Sequence, residues 1–287
     1  MAEKILVIGS GFLGSTIIDA GNTQNLNMTG THVRTGLCLD ILDENSIEKT
    51  MEKINPDVVI NCAAFTDVDA IEKNPQLGHD INFRGVQNLV RTCSKRRLSL
   101  VHISTDSVFD GEKGNYSEED IPNPINEYAK SKLFAEKAIE SYLEKSAIIR
   151  TNLYGHDKED RFLFDWILNN LNKNIVINGF DDVFFNPLER TNLSDMIIEI
   201  AIKDIHGILH LASDKILSKY QFAQSIVSIL GFPSSLVKRA SIKESNLFAK
   251  RPLNTTLSNV KMKKILKTEP IELEDWLIAN YEKMRLN

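Results

Sequence analysis

Lys4-Ile5-Leu6-Val7-Ile8-Gly9-Ser10-Gly11-Phe12-Leu13-Gly14-Ser15-Thr16-Ile17-Ile18-Asp19-Ala20 is the stretch whose reading decides the fold. An apolar strand, a G-x-G-x-x-G turn and a helical run follow one another, which is the context a dinucleotide fingerprint requires. Gly9 would make the tight turn, Gly11 would let a pyrophosphate approach the backbone, and Gly14 would let helix and strand pack closely. The amides of Phe12 and Leu13, at the helix N-terminus, would face the phosphates. An ordinary Gly-rich βα turn is the alternative. The position of this one, straight after a buried strand, favours the cofactor.

Working outward, the first half of the chain alternates strands and helices. Residues 27–33 read as a strand, 43–54 as a helix and 57–61 as a strand after Pro56. Helical spacing runs over about 75–97, 98–103 is another strand, 126–143 a helix, and 147–150 closes the pattern. Near-continuous apolar strands between amphipathic helices predict an α/β fold, a Rossmann-type doubly wound parallel sheet. Ligands of such sheets sit outside the carboxyl ends of the strands. Gly9, Asn61, Ser104 and Asn152 all fall just past such ends, and that convergence argues for one site. After Arg150 the texture loosens, with polar and turn residues rich in 157–162, 178–186 and 234–251. The expected division is therefore a dinucleotide-binding domain over 1–150. A smaller, mainly substrate-binding lobe would follow over 151–287, with some segments returning to the sheet.

At 287 residues and 42% hydrophobic content the chain can bury a large core, as one big domain or two lobes. A net charge of −5 argues against a nucleic-acid surface. Three cysteines make no disulfide framework, and their spacing matches no zinc site. Cys38 and Cys62 lie in or near apolar strand runs and are expected to be buried packing residues. No signal peptide is read ahead of the first strand, and no apolar stretch reaches transmembrane length. A soluble protein of a reducing cytoplasm, without membrane partners and without a metal site, is expected.

Tyr128 and Lys132 stand four residues apart and so share one helix face. Such a pair is common on surface helices and means little alone. With a dinucleotide site beside it, the pair suits proton transfer. A cation held near a tyrosine favours the phenolate and draws its pKa down from roughly 10 towards the working pH. The choice of nicotinamide turns on the residue at the end of the second strand. An NAD site usually places a carboxylate there, whereas this chain has Arg34-Thr35. The planar fork of Arg34 suits a 2′-phosphate, although a solvated arginine is the alternative. NADP(H) is expected over NAD(H).

The run Ser104-Thr105-Asp106-Ser107-Val108-Phe109-Asp110-Gly111, then Tyr116, Glu118, Pro122-Asn123-Pro124 and Tyr128-Ala129-Lys130-Ser131-Lys132, resembles the extended short-chain dehydrogenase/reductases. It is most similar to their dTDP-4-dehydrorhamnose reductase group. The resemblance continues in Ala135-Glu136, Asn61 to Asp69, Arg150 to Gly155, and Arg251-Pro252-Leu253-Asn254, and so spans nearly the whole chain. It implies an NADPH-dependent reductase of a 4-keto-6-deoxy nucleotide sugar. Tyr128 would give a proton to the carbonyl oxygen, Lys132 would hold the nicotinamide ribose and acidify Tyr128, and Thr105 would orient the carbonyl. The resemblance also places Asp40-Ile41 beside the adenine, Ala63-Ala64-Phe65 under the cofactor, and Asn82 on the following helix. Asn152 and Arg251 would meet the nucleotide diphosphate, with Arg251 equally suited to a structural ion pair. A homodimer is expected by analogy alone.

Three departures matter, the first for the phosphate contacts and the other two for the substrate pocket. The glycine loop is shorter than is common in the group, Ser107 stands where a tyrosine is usual, and Asn152-Leu153 replaces a tryptophan after the Arg-Thr pair. Two other functions stay open. A nucleotide-sugar dehydratase would need an acid partner beside Asp106, which Ser107 does not supply, but an epimerase would not. A non-catalytic dinucleotide-binding subunit, resembling the methionine adenosyltransferase β subunit, would share most of these motifs.

Overall fold

A computed structural model describes residues 4–34, 36–156 and 162–285. Thr35 and residues 157–161 of the polar stretch anticipated above lie outside the described residues. The first half runs β1 (Lys4–Ile8), α1 (Phe12–Thr23), β2 (Asn27–Thr31), α2 (Glu44–Ile54) and β3 (Val58–Asn61). Next come α3 (Val68–Lys73), α4 (Pro75–Gly78), a π-helical segment (His79–Arg84), α5 (Gly85–Arg96), β4 (Ser99–Ile103), α6 (Glu127–Tyr142) and β5 (Ser146–Thr151). The second half runs β6 (Leu153–Tyr154), α7 (Leu163–Asn172), β7 (Ile177–Phe180), β8 (Phe184–Phe185), β9 (Leu188–Glu189), α8 (Arg190–Ile202) and β10 (Gly207–Leu211). It ends with β11 (Leu217–Ser218), α9 (Lys219–Leu230), β12 (Val237–Ala240), α10 (Val260–Ile265) and α11 (Leu273–Arg285).

Six strands form one parallel sheet in the order β10-β5-β4-β3-β1-β2. The chain winds outward from β1 to β2, crosses back to β3 and continues the other way. The order therefore reverses between β1 and β3, and their carboxyl ends open the crevice where such sheets bind ligands. Alternation along each strand assigns the two faces. Ile5, Val7, Val58, Ile60, Val101, Ile149 and Leu209 pack with α1 and α8 on one side. Leu6, Ile8, Val59, Leu100 and Ile148 pack with α2, α5 and α6 on the other. Burial on both sides explains why these strands read as continuous apolar runs.

Local signals set the ends of the helices that carry the site. Asn126 caps α6 by accepting from the Ala129 amide at 2.9 Å, which places Tyr128 in the first turn. The side-chain NH₂ of Asn126 donates to Lys250 O at 2.9 Å and ties that turn to the C-terminal half. The helical spacing over 75–97 resolves into three pieces, because a π segment interrupts it. Asn82, fully buried in that segment, accepts from Phe65 N at 2.8 Å and donates to Phe65 O at 2.9 Å and Ser131 Oγ at 3.0 Å. One wide turn thus links the end of β3 to α6.

The second half contributes α8, β10 and α10 to the sheet layers and gathers a separate core from its other elements. That core is built on Phe164, Leu168, Phe222, Ile226 and Leu277 of α7, α9 and α11, with Phe185 beneath. Two-stranded pairings, β12 with β7 and β11 with β8, border it.

Candidate active site

At the carboxyl end of β1, Gly9 adopts φ +89°, and a Cβ there would stand 2.7 Å from Ala63 N. A side chain at Gly14 would overlap the carbonyl oxygen of Gly9. These two glycines let α1 sit tightly against the switch point. Gly11 is different, since no described residue comes within 4 Å of the position a Cβ would take. It caps α1 without any side-chain hydrogen bond, leaving the positive end of the helix facing a cavity of about 440 Å³. Gly11, Phe12 and Leu13 form one wall of that cavity, and Thr105, Tyr128, Lys132 and Asn152 line it as well. The chemistry of this wall fits a pyrophosphate: bare backbone, open space and a helix N-terminus.

The reacting wall is made of side chains. Thr105, just past β4, is buried and, beside Tyr128, lines the cavity. Its hydroxyl also accepts from Ser107 N at 3.2 Å, which caps the short turn that follows. Asp106 is buried and acts as the acceptor of the whole turn. Thr105 Oγ1 and Ser107 Oγ donate to its Oδ1, each at 3.2 Å, and Asn152 Nδ2 at 2.9 Å and Thr255 Oγ1 at 2.6 Å donate to its Oδ2. Beneath it, Ser104 donates to Glu136, whose carboxylate pairs with Arg150 at 2.7 Å, both charged groups fully buried.

Tyr128 and Lys132 lie in the same cavity, but not as the sequence led us to expect. The expected acidification of Tyr128 by Lys132 is absent. Loss of solvation pushes the tyrosine pKa up to about 12, with the nearby Thr105 hydroxyl opposing and the Asp106 charge adding to the rise. Lys132 turns instead to the sheet, donating to Ile103 O at 2.7 Å and approaching His102 Nε2 at 3.2 Å. Burial draws its pKa down to about 8, against the pull of Glu136 and Cys62. His102 is itself buried and held neutral by burial first and by the Lys132 charge second, and its Nδ1 meets Asn61 Nδ2 at 3.1 Å.

The remaining candidates divide. Arg34 lies exposed just past β2, its backbone amide donating to His32 Nδ1 at 3.1 Å. The carboxylate of Asp40 accepts from Leu42 N at 2.9 Å, while Ile41 is buried against Gly85. Ala63 N donates to Asn61 Oδ1 at 3.1 Å, Ala64 lines the cavity, and Phe65 is held by Asn82. Asn152 points at Asp106, and Arg251 is paired with Asp69 at 2.8 Å, the structural alternative left open for it. Cys38 is exposed, correcting the expectation that it packs in the core: it sits in the loop beyond β2, outside the apolar run. Cys62 is partly buried and Cys93 fully so, and burial pushes both thiols up to about 12. Sequence reasoning missed His102, Thr255 and Lys219. Only His102 carried a signal, as a polar residue inside an apolar strand. Among the described residues no cluster of His, Cys, Asp or Glu is placed to hold a metal ion, and no helix is long and apolar enough to cross a membrane.

A switch-point cleft with a glycine turn on one wall and Thr105, Tyr128 and Lys132 on the other defines an extended short-chain dehydrogenase/reductase. Comparison with known proteins narrows this. The family profile of the RmlD substrate binding domain matches residues 3–285, so the chain belongs to that family. It is 30% identical to the probable low-salt glycan biosynthesis reductase Agl14 of Haloferax volcanii, over 94% of each chain. It is 28% identical to the methionine adenosyltransferase 2 subunit beta of Bos taurus, covering 89% of this chain and 80% of that one. Among solved structures, the dTDP-4-dehydrorhamnose reductase of Bacillus anthracis in complex with NADP superimposes with a TM-score of 0.88 at 26% identity, over 100% of this chain and 99% of that one.

Proposed function

We propose that this protein is an NADPH-dependent reductase of a 4-keto-6-deoxy nucleotide sugar, of the dTDP-4-dehydrorhamnose reductase kind. The observation that carries the reading is the meeting of Thr105, Tyr128 and Lys132 in one cleft, which has a phosphate-fitting turn opposite and a second cavity beyond Asp106. A nicotinamide cofactor held at the glycine turn by Gly11, Phe12 and Leu13 would supply the hydride for the carbonyl carbon. Tyr128, protonated at neutral pH, gives its proton to the carbonyl oxygen as the alkoxide develops, and the product is the alcohol. A phenol with a pKa of about 12 still lies below an ordinary alcohol, so the transfer to the alkoxide runs downhill. Thr105, whose hydroxyl donates to Asp106 in this structure, would turn that proton to the same oxygen and fix its direction. Lys132, its ammonium held at the end of β4 by Ile103 O, would hold the nicotinamide ribose, and the exposed Arg34 would meet the 2′-phosphate. Asn152 and the C-terminal lobe receive the sugar and its nucleotide.

The similarity to the methionine adenosyltransferase subunit supports a second reading, a dinucleotide-binding subunit without turnover. The separating experiment is NADPH oxidation by the purified protein with dTDP-4-keto-6-deoxy-L-mannose made in situ. Saturable oxidation is expected. NADPH binding without oxidation of this or related keto sugars would favour the second reading.

A further inference from the structure

The residue anticipated to hold the nucleotide's diphosphate, Arg251, has its guanidinium already engaged, with Nη2 on Asp69 Oδ1 at 2.8 Å and Nη1 on Ala249 O at 3.0 Å. It lines a cavity of about 650 Å³ that adjoins the catalytic cleft through Asp106, Ser107 and Asn152. Lys219 lines the same cavity, and its position is costly in three ways. Its Nζ lies 3.1 Å above the centroid of the Phe185 ring, and among the described residues it meets no hydrogen-bond acceptor and no ion-pair partner. It is the first residue of α9, where the positive end of a helix disfavours a cation. Asp106, the acid whose field reaches it, already accepts hydrogen bonds on both oxygens. The fold nevertheless fixes the residue firmly. Lys219 N donates to Val183 O at 2.9 Å, and Ser218 and Gln221 close a capping box around it.

The Phe185 ring faces the ammonium from one side only and leaves its N–H groups without acceptors. An anion in the cavity would answer all three costs at once. We propose that Lys219, rather than Arg251, is the cation that receives the diphosphate of the nucleotide-sugar substrate. This rests on the nucleotide-sugar reading above. Burial also draws the lysine pKa down to about 7 against the pull of Asp106, so a bound anion restores the charged form.

The test compares wild type, Lys219→Met and Lys219→Arg, using calorimetric binding of dTDP, thymidine and NADPH. Methionine keeps the stem packed on Phe185 and removes the charge. The expected result is at least about a tenfold loss of dTDP affinity in Lys219→Met, the scale of a charge-assisted hydrogen bond. Thymidine and NADPH should bind within about twofold of wild type, and Lys219→Arg should keep most of the dTDP affinity. Unchanged dTDP binding by Lys219→Met overturns the assignment. Should that variant fail to fold, the NMR signals of the Lys219 side chain in wild type decide, because they must shift on adding dTDP. No shift at saturation overturns it equally. A wild type that binds neither dTDP nor UDP removes the nucleotide-sugar reading itself, and this inference with it.

Discussion

Two turns leave neighbouring regions of one sheet and face the same cleft, yet they are built from opposite materials. The turn after β1 is nearly bare among the described residues: Gly9 and Gly14 have no room for a side chain, none comes within 4 Å of a Cβ at Gly11, and none caps the helix that follows. The turn after β4 is knotted by side chains, with Thr105, Ser107, Asn152 and Thr255 all donating to Asp106 and Ser104 anchored to the buried Glu136–Arg150 pair. A wall that accepts a phosphate needs exposed amides and space, which backbone alone provides. A wall that places a proton donor must hold angles and distances, which takes over-determined side chains.

Substitutions can break this contrast from either side. The largest stability loss should follow Arg150→Met, which leaves the Glu136 carboxylate buried and unpaired. A cost of about 3–5 kcal/mol is expected, read by denaturant unfolding, and a cost below about 1 kcal/mol would mean the knot does not depend on the pair. Gly14→Ala attacks the bare turn, since its methyl must displace the Gly9 carbonyl. About 1–3 kcal/mol of overpacking is expected, together with weaker NADPH binding. Unaltered binding would show that the phosphate wall tolerates movement.

Lys132 sharpens the contrast through pH. Its pKa is about 8 in the folded protein, against 10.5 for an exposed lysine. Between those values the unfolded chain binds more protons, so stability contributed by this group rises with pH across about 8 to 10.5. Below about pH 8 the full penalty of burying the charge applies. Relative to Lys132→Met, wild type should gain up to about 3 kcal/mol across that window. A constant difference would place an anion beside Lys132. The smallest effect is expected at Arg34. Arg34→Ala should weaken NADPH by about tenfold, the scale of one charged contact, with little change for NADH. Equal losses for both cofactors would remove the 2′-phosphate from its role.

The fold was legible because the central strands are buried on both faces and lie between amphipathic helices, so residues 4–8, 58–61 and 99–103 read plainly in one dimension. The wide turn at Asn82 was not, because its cause is a pair of bonds to Phe65, 17 residues away, and another to Ser131 on α6. The site shows the same division. Thr105, Tyr128, Lys132 and the glycines carry local spacing that can be read from the chain. The commitment of Arg251 to Asp69, 182 residues apart, and the isolation of Lys219 exist only once the lobes are folded together. The direction of Lys132 escaped the sequence for a related reason. Helical spacing puts it near Tyr128, but the carbonyl of Ile103 on the adjacent strand captures its ammonium.

The most direct test of Tyr128 as proton donor is the single-turnover rate of Tyr128→Phe with NADPH and dTDP-4-keto-6-deoxy-L-mannose, measured beside its NADPH affinity. A fall of about 10²–10⁴-fold in rate, with cofactor affinity within a few-fold of wild type, is the predicted result. A variant that keeps most of the wild-type rate would contradict it.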